Sequence, residues 1–284
     1  MMSNKNIMEN VKKLRELTGV GFKDCKLALD ENNGDIEKSV EFLRKKGIAK
    51  ASKKMGRSAS EGLILVEEKN GDVSVIEINS ETDFVAKNEN FLKFCKEISK
   101  LNFSVNGNLE KLKSLKMADK NKVEDNLINL ISKIGEKITL RRSKFLKKEN
   151  GNNYVYVHSA IEKNIGKIVS VVTLKNCENK EFGLKMAMHV AASNPLAINE
   201  NGIDKKLIDK ELEIITAELE NLGKKGEMVE KISKGKINKF ISENTLLNQI
   251  WIMDPKKTVS DILKEEKKQI EIVDFTRFKV GEGI

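Results

Sequence analysis

The side chains best suited to act on another molecule are Asp83 and Phe84, an acidic and an aromatic residue that are neighbours in the sequence. A carboxylate accepts hydrogen bonds, and an exposed phenyl ring offers apolar surface, so the pair could contact another molecule. A structural interpretation competes with this one. In it, Asp83 or Thr82 caps the helix that carries Phe91, and Phe84 fills the local core. Composition alone favours the structural interpretation, because helix caps and core aromatic residues are common.

Other residue types that carry chemistry are sparse. The chain has two histidines, His158 and His189, and it lacks a G-x-x-x-x-G-K-[ST] phosphate loop, a G-x-G-x-x-G fingerprint and a G-x-S-x-G elbow. His189 lies among apolar residues at helical spacing, which is typical of a core or interface histidine. We interpret Cys25, Cys95 and Cys177 as buried thiols, because their spacing fits neither a disulfide framework nor a zinc site. We therefore predict no catalytic residue, no metal site, no cofactor and no enzymatic activity.

A predicted strand places Asp83 and Phe84 at a corner between a sheet and a helix. Residues 73–78 alternate apolar and polar side chains, as a half-buried strand does, and the alternation breaks at residues 79–82. The dipeptide Asn70-Gly71 predicts a tight hairpin between this strand and a preceding one. Helical spacing resumes after the break, so the acidic and aromatic pair is predicted to lie where the strand ends and a helix begins.

The rest of the chain is predicted to form an N-terminal helical module and an α+β core. Helical spacing predicts three short helices in residues 1–47, the third ending at Gly47, and residues 48–60 form a basic linker that would let the module reorient. Two units with the order strand, strand, helix follow, which predicts two related halves with antiparallel sheets. The first half covers residues 61–148, and the second covers residues 149–203 and 241–284.

Residues 204–240 carry the most regular apolar pattern of the chain. Apolar residues recur there in steps of four and three, the spacing of a helix that packs along another helix. They are Ile208, Leu212, Ile215, Leu219 and Leu222. Because glycines at 223 and 226 end this run, we predict an antiparallel helical hairpin that projects from the second half. Its seam is structural, or it serves a homodimer or a contact with a partner, and the spacing does not decide among these.

The charge of the chain favours a solvated surface over a nucleic-acid interface. The 284 residues include 52 Lys and Arg and 43 Asp and Glu, which gives a formal net charge of +9. Only six of the basic residues are arginines and 5% of all residues are aromatic, whereas base readout and stacking depend on these types. We expect no direct contact with nucleic acid, and a basic RNA-binding or ribosome-associated protein is the alternative function. No apolar run approaches the ~20 residues that span a bilayer, so we predict a cytoplasmic protein without membrane contact.

The stretch Thr82-Asp83-Phe84-Val85-Ala86-Lys87 resembles the signature of the elongation factor Ts family, the nucleotide-exchange partners of the translational GTPase elongation factor Tu. Five further segments resemble the same family in the same order along the chain. They are Thr18-Gly19-Val20-Gly21 with Asp24-Cys25-Lys26, Asn33-Gly34-Asp35-Ile36, Lys133-Ile134-Gly135-Glu136, His189-Val190-Ala191-Ala192-Ser193-Asn194-Pro195, and Val280-Gly281-Glu282-Gly283-Ile284. Ordered matches over nearly the whole chain are far more specific than any one of them.

The resemblance implies a three-helix, UBA-like docking module and a guanine-nucleotide exchange factor. Such a factor binds elongation factor Tu in the GDP-bound and nucleotide-free states, disturbs the Mg²⁺ and phosphate site, releases GDP and is then displaced by GTP. The exchange stretch implied is Thr82, Asp83, Phe84 and Val85. The further partner contacts implied are Leu14, Val20, Phe22, Ile134, Gly135 and His158. The hairpin would suit either a homodimer with a two-to-two complex or a one-to-one complex.

Overall fold

The computed structural model describes residues 4–18, 20–266 and 269–284, without the side chains of residues 4–7. Gly19, which belongs to the predicted turn before Phe22, lies outside the described residues. The helices of this part of the chain are α1 (Asn4–Thr18), α2 (Phe22–Glu31), α3 (Ile36–Lys54), α4 (Asp83–Ala86), α5 (Glu89–Ser104), α6 (Leu109–Ser114), α7 (Val123–Ile134), α8 (Lys180–Ser193), α9 (Lys205–Asn221), α10 (Glu227–Asn244) and α11 (Val259–Glu265). The strands are β1 (Glu61–Lys69), β2 (Asp72–Ser80), β3 (Ile138–Leu146), β4 (Asn152–His158), β5 (Ile165–Gly166), β6 (Ile168–Lys175) and β7 (Glu271–Lys279).

Helices α1, α2 and α3 form a small N-terminal bundle, as predicted. Their apolar faces enclose a core that consists of Val11, Leu14, Cys25, Ala28, Leu29 and Leu43. Asp35 is the N-cap of α3, because its carboxylate accepts a hydrogen bond from the backbone N–H of Lys38 at 3.0 Å. The start of this helix therefore follows from a local capping signal.

Helix α3 continues through Gly47 to Lys54, so the predicted end of this helix is wrong. Gly47 faces α7, where an added Cβ would lie 3.4 Å from Ser132 Oγ, and the small residue lets the two helices approach closely. Ala51, about one turn later, is buried in the core of the first half. The N-terminal module is therefore joined to the first half by a packed helix in place of the reorienting linker that we predicted. The boundaries of the domains stay predictions.

The core contains two antiparallel sheets. The first has the strand order β3-β2-β1-β5 and the second has the order β4-β6-β7. The hairpin turn between β1 and β2 lies at Asn70-Gly71, as predicted, with φ values of 56° and 87°. Strand β5, which the sequence pattern did not indicate, pairs with β1 and thus belongs to the sheet of the first half.

The two sheets pack face to face, and helices cover their outer faces. Val75, Val171 and Phe278 are among the apolar residues between the sheets. Helices α4, α5 and α7 cover the first sheet and bury Phe91, whereas α8 and α11 cover the second sheet and bury Met186. In each half the second strand is central, since β2 lies between β1 and β3 and β6 lies between β4 and β7. The predicted α+β class is confirmed.

Helices α9 and α10 form the predicted antiparallel hairpin. The chain reverses between Gly223 and Gly226, whose φ values are 77° and 57°. Ile215 and Leu219 of α9 pack on Val229 of α10. Leu212 and Leu222, which we predicted to lie in the seam, are exposed, so the packed seam is shorter than the sequence pattern.

Residues with ligating or reactive side chains are dispersed. Cys25, Cys95 and Cys177 are buried free thiols, as predicted. Within the described ranges, no group of three or more His, Cys, Asp or Glu could hold a metal ion. The described helices also include none with the length and apolar character that a membrane crossing requires.

Candidate functional site

The corner after β2 displays Phe84 and Asp83 on a firmly anchored backbone. Strand β2 ends at Ser80, and the four-residue helix α4 begins at Asp83. Phe84 is 77% exposed and the side chain of Asp83 is 52% exposed, whereas the next two residues, Val85 and Ala86, are buried in the core of the first half. A single turn of helix thus points one face into the core and presents the acidic and aromatic pair to solvent.

The structural interpretation of the pair is wrong. Helix α5, which carries Phe91, is capped by Asn88, whose side chain accepts hydrogen bonds from the N–H groups of Asn90 at 3.0 Å and Phe91 at 3.3 Å. Thr82 occupies the N-cap position of α4 and makes no side-chain capping bond to that helix. Neither residue of the pair is therefore used as a cap for α5, and Phe84 lies outside the core.

Thr82 and Glu81 hold the corner to the chain segment that follows α7. The N–H and hydroxyl of Thr82 donate to the Glu136 carboxylate at 3.0 and 2.8 Å. In return, Glu81 accepts from Lys137 N at 2.6 Å, and it also accepts from Arg57 at 3.2 Å. Burial alone would raise the pKa of Glu81, but the hydrogen bonds from Lys137 and Arg57 hold it below the usual range of a glutamate.

Ile134 and Gly135 lie at the end of α7, beside this attachment. Gly135 is the C-cap of α7 in the left-handed conformation, with φ 86°, and an added Cβ would meet no atom of the described residues within 4 Å. Ile134 is half-buried against the core of the first half. Because Glu136 follows directly and binds Thr82, the structure brings Ile134 and Gly135 close to the predicted exchange stretch.

The predicted contacts in the N-terminal module divide by exposure. Leu14 is fully buried in the core of the bundle, so it cannot touch a partner while the bundle is folded, and the predicted contact is corrected to a packing role. Val20 is half-buried against the same core. Phe22 is 41% exposed at the start of α2, and of the three residues it has the side chain that is most available to another molecule.

The two histidines differ in the way that their neighbours in the sequence indicated. His158 is exposed at the end of β4, with Nδ1 3.1 Å from the hydroxyl of Tyr156. His189 is buried, stacks on Trp251 and lies between Gln249 Oε1 at 3.1 Å and the N–H of Ile252 at 3.4 Å. Burial lowers its pKa, which keeps the ring neutral. Of the core and interface roles that we predicted for His189, the structure shows the core role.

Glu77 forms a polar cluster that the sequence pattern did not reveal. Its side chain is fully buried on β2, yet it accepts hydrogen bonds from Arg141 at 2.9 Å and Arg142 at 2.6 Å. The N–H of Gly281, beyond β7, donates to it at 2.9 Å. Burial alone would raise the pKa of Glu77, but these three donors hold it below the usual range of a glutamate.

A signal for this cluster was present in the sequence. Val73 and Val75 face the space between the sheets, and the alternation of β2 directs residue 77 to the same face. A glutamate in that position must have buried partners, since an unpaired charge there is costly. The adjacent Arg141-Arg142 and the terminal Gly281 were candidates for these partners, but the pattern of β2 alone could not select them.

Comparison with known proteins gives a consistent result. A family model described as elongation factor TS matches residues 81–282. Elongation factor Ts of Methylorubrum extorquens is 43% identical over 283 residues, which covers 96% of this chain and 92% of the relative. Elongation factor Ts of Bartonella tribocorum is 41% identical with the same coverage, and that of Maricaulis maris is 41% identical over 96% of this chain and 91% of the relative.

Proposed function

The chain belongs to the elongation factor Ts family and has a role in translation elongation, and we propose that it acts there as a guanine-nucleotide exchange factor. It binds elongation factor Tu that carries GDP, promotes the loss of GDP and leaves when GTP binds. No bond of the nucleotide is made or broken in this cycle, so the activity is exchange without covalent chemistry.

The observation that supports this proposal is the exposure of Phe84 on an anchored corner. A phenyl ring that is 77% exposed contributes little to the packing of its own chain. The neighbouring Val85 and Ala86 are buried, so the backbone that carries the ring is anchored before any partner arrives. Rigid aromatic side chains of this kind lose little entropy on binding and are frequent among the residues that dominate binding energy.

Phe84 and Asp83 have separate roles in the proposed mechanism. Phe84 enters an apolar crevice of the GTPase and moves apart the elements that hold the nucleotide. Asp83 brings a negative charge close to the Mg²⁺ ion that neutralises the phosphates of GDP. Mg²⁺ requires a nearly ideal octahedron of oxygen ligands, so a small displacement of these ligands strongly weakens the binding of Mg²⁺. Loss of the metal then leaves the charge of the diphosphate uncompensated.

The same scheme requires a symmetrical thermodynamic effect. If the factor weakens GDP binding by a given ratio, GDP must weaken the binding of the factor by that ratio, and each tenfold corresponds to about 1.4 kcal/mol. GTP binding displaces the factor by the same coupling. The ratio of the two dissociation constants of GDP, with and without the factor, is therefore a direct check on the mechanism.

The remaining contacts extend the proposed interface. Phe22 in the N-terminal module, Ile134 and Gly135 beside the corner, and His158 at the end of β4 would contact the same partner. The α9–α10 hairpin would contact the partner or a second copy of the chain. The two halves and the module then hold the GTPase at several points while the corner acts on the nucleotide.

The test measures the release of fluorescent GDP from the cognate elongation factor Tu. We expect the wild-type chain to accelerate release and a double variant, Asp83→Ala with Phe84→Ala, to lose the acceleration while keeping its thermal unfolding temperature. Ile161→Ala, which truncates an exposed apolar side chain of the second half, is the control and is expected to act as wild type does. A folded double variant with full activity would contradict the assigned roles. RNA binding whose affinity falls steeply with salt would instead favour the alternative function.

A further inference from the structure

We infer that Glu136 is a positioning residue for exchange: its carboxylate fixes the Asp83-Phe84 corner in the orientation that enters the partner. This inference rests on the function proposed above and adds a residue to it. Glu136 itself does not have to touch the nucleotide, the metal or the partner. Its effect is transmitted through Thr82, the residue directly before Asp83.

The contact between Glu136 and Thr82 is bidentate. One carboxylate oxygen accepts from the Thr82 N–H at 3.0 Å, and the other accepts from the Thr82 hydroxyl at 2.8 Å. Hydrogen bonds to an ionised carboxylate are stronger than those between neutral groups. Two of them to the backbone and side chain of one residue restrict both its position and its rotation. Thr82 makes no capping bond to α4, so its hydroxyl is committed to Glu136.

A second carboxylate makes the reverse connection. Glu81, next to Thr82, accepts from the N–H of Lys137, next to Glu136, at 2.6 Å. Each of the two segments therefore supplies one carboxylate and one backbone N–H to the other. We call these four residues, Glu81, Thr82, Glu136 and Lys137, the carboxylate clamp. A crossed pair of this kind resists sliding and twisting of one segment against the other, which a single bond would allow.

The support for the clamp comes from the end of α3 and the residues after it. Lys54 Nζ donates to the carbonyl of Gly135, and Lys137 Nζ donates to the carbonyl of Arg57 at 2.7 Å. Arg57 donates in turn to Glu81 at 3.2 Å. The segment that holds the corner is thus itself tied to the packed helix of the N-terminal module. Hydrogen bonds therefore connect the end of α3 with the segment that orients the corner.

The clamp restrains the side of the corner that the core does not. Val85 and Ala86 anchor α4 because their side chains are buried in the core of the first half. On the strand side, the pairing of β2 ends at Ser80, and among the described strands none pairs with the backbone of residues 81–82. Loss of Glu136 would leave Thr82 to bind water, and Asp83-Phe84 would sample more orientations. A misplaced group lowers the rate of the step that it promotes more than it lowers binding through distant contacts.

The test compares limiting rates with half-saturating concentrations, using the full chain and cognate elongation factor Tu loaded with fluorescent GDP. For Glu136→Ala we expect the limiting rate of GDP release to fall about tenfold, as for the loss of a hydrogen bond to a charged group, while the half-saturating concentration stays within about twofold. For Glu136→Gln we expect recovery to within about threefold of wild type, because the amide can accept from the Thr82 N–H and donate to its hydroxyl.

Glu124→Ala is the matched control, since Glu124 is an exposed glutamate at the other end of the same helix, α7. It is expected to keep the wild-type limiting rate. Hydrogen exchange gives a measurement that does not depend on activity. The amide of Thr82 is expected to exchange faster in Glu136→Ala, whereas the amides of α8 in the second half keep their wild-type rates.

The outcomes separate this inference from the proposed function. If wild type accelerates release and Glu136→Ala does so equally well, the positioning role is overturned and the proposed function stands. An equal loss in Glu124→Ala, or slower release that accompanies faster exchange throughout the protein, would show general destabilisation and would also overturn it. If the wild-type chain fails to accelerate release, the proposed function fails, and this inference falls with it.

Discussion

The two halves of the core share a plan that extends to individual residues. In each, the central strand is followed by a helix whose N-cap is an asparagine that accepts from the N–H groups of two residues of the first turn: Asn88 for α5 and Asn179 for α8. The third residue of each helix is a buried phenylalanine, Phe91 or Phe182. Sequence identity between the halves is slight, yet the same capped helix covers the same strand in both.

The halves differ at the connection between strand and helix. In the second half, residues 176–179 lead directly from β6 to the capped helix α8. In the first half, residues 81–88 make the same connection, and the added length forms α4 with its exposed Phe84. The candidate site therefore lies in the part of the first half that is longer than its counterpart in the second. The shared strands and helices anchor this longer connection, and the proposed contact residues Asp83 and Phe84 lie within it.

A second difference lies inside the central strands. The pairing register shifts after the sixth residue of each, between Glu77 and Ile78 in β2 and between Thr173 and Leu174 in β6. Thr173 donates a single hydrogen bond to Asn153 at 2.6 Å, whereas Glu77 binds two arginines and the N–H of Gly281. The first half therefore uses this irregular position to hold a distant segment of the chain, and the second half uses it locally.

Truncation of phenylalanines should separate scaffold from site. We expect Phe91→Ala and Phe182→Ala each to lower the free energy of unfolding by about 3–5 kcal/mol, because a buried ring leaves a cavity. Phe84→Ala should leave stability unchanged and lower the rate of GDP release about 100-fold, the cost of losing a dominant interface residue. Urea denaturation and nucleotide release measure the two effects. A marked loss of stability in Phe84→Ala would break the distinction.

Replacement of Glu77 should destabilise the protein more than the matched replacement of Thr173 in the second half. We expect Glu77→Gln to lower the free energy of unfolding by about 3 kcal/mol, since it removes the carboxylate that pairs with Arg141 and the nearer of the two carboxylates that pair with Arg142. Thr173→Val, the matched change in the second half, should cost about 1 kcal/mol for one hydrogen bond. Both values come from urea denaturation at neutral pH. Equal costs would contradict the assigned difference.

The same glutamate predicts an acid dependence. The pKa of Glu77 is lowered in the folded chain, so its contribution to stability is present above the ordinary glutamate pKa of 4.5 and is lost as the pH falls through the lowered value. The stability of Glu77→Gln should therefore decline less steeply than that of wild type below pH 4.5. Denaturation curves over this pH range provide the measurement, and parallel declines would exclude the effect.

The shared asparagine caps should be equivalent. We expect Asn88→Ala and Asn179→Ala each to cost about 1 kcal/mol, because each leaves two N–H groups of a helix without their acceptor. The change next to the candidate site differs in function, since Asn88 follows α4 and helps to fix its end. Asn88→Ala is therefore expected to lower the limiting rate of GDP release modestly, and Asn179→Ala should not. The double variant should show additive losses of stability.

A smaller effect, the dependence of stability on the protonation of His189, is expected in the second half alone. The tenth residue of α8 is His189, whereas the tenth residue of α5 is Ile98, and both are buried. The pKa of His189 is lowered, so the unfolded chain takes up a proton first, and stability declines as the pH falls below the ordinary value of 6.5. His189→Gln should remove this decline, and His158→Gln, at an exposed site, should retain it.

Local patterns were sufficient to predict much of this architecture. The position of β2, the Asn70-Gly71 turn and the helical spacing of α9 each depend on near neighbours, and each is present in the structure. The half-buried character predicted for β2 is wrong, because residues 73–80 are all buried. The corner at Asp83-Phe84 was predicted for the same reason. The exposure of Phe84 could not be predicted from composition, because aromatic residues are more often buried and composition therefore favoured a core position.

The features that could not be predicted depend on contacts between distant segments. Gly47 predicts the end of a helix from the local sequence, and only the packing of α7 against it explains why a glycine lies inside α3. Leu14 has the spacing of a helix face, and only the closed bundle shows that this face is buried. The attachment of Thr82 to Glu136 joins residues 54 positions apart. No periodic pattern within a single element contains that information.

The arrangement around Glu77 also has a consequence for biosynthesis. Arg141 and Arg142 emerge from the ribosome some 64 and 65 residues after Glu77, but Gly281 emerges 204 residues after it. At ordinary elongation rates, the interval between synthesis of Glu77 and synthesis of Gly281 is about 10–40 s. During it, a nascent first half must keep its central carboxylate hydrated or only partly paired. Closure of the two sheets over that charge is therefore an event that follows translation of β7, which ties maturation of the early half to arrival of the late one.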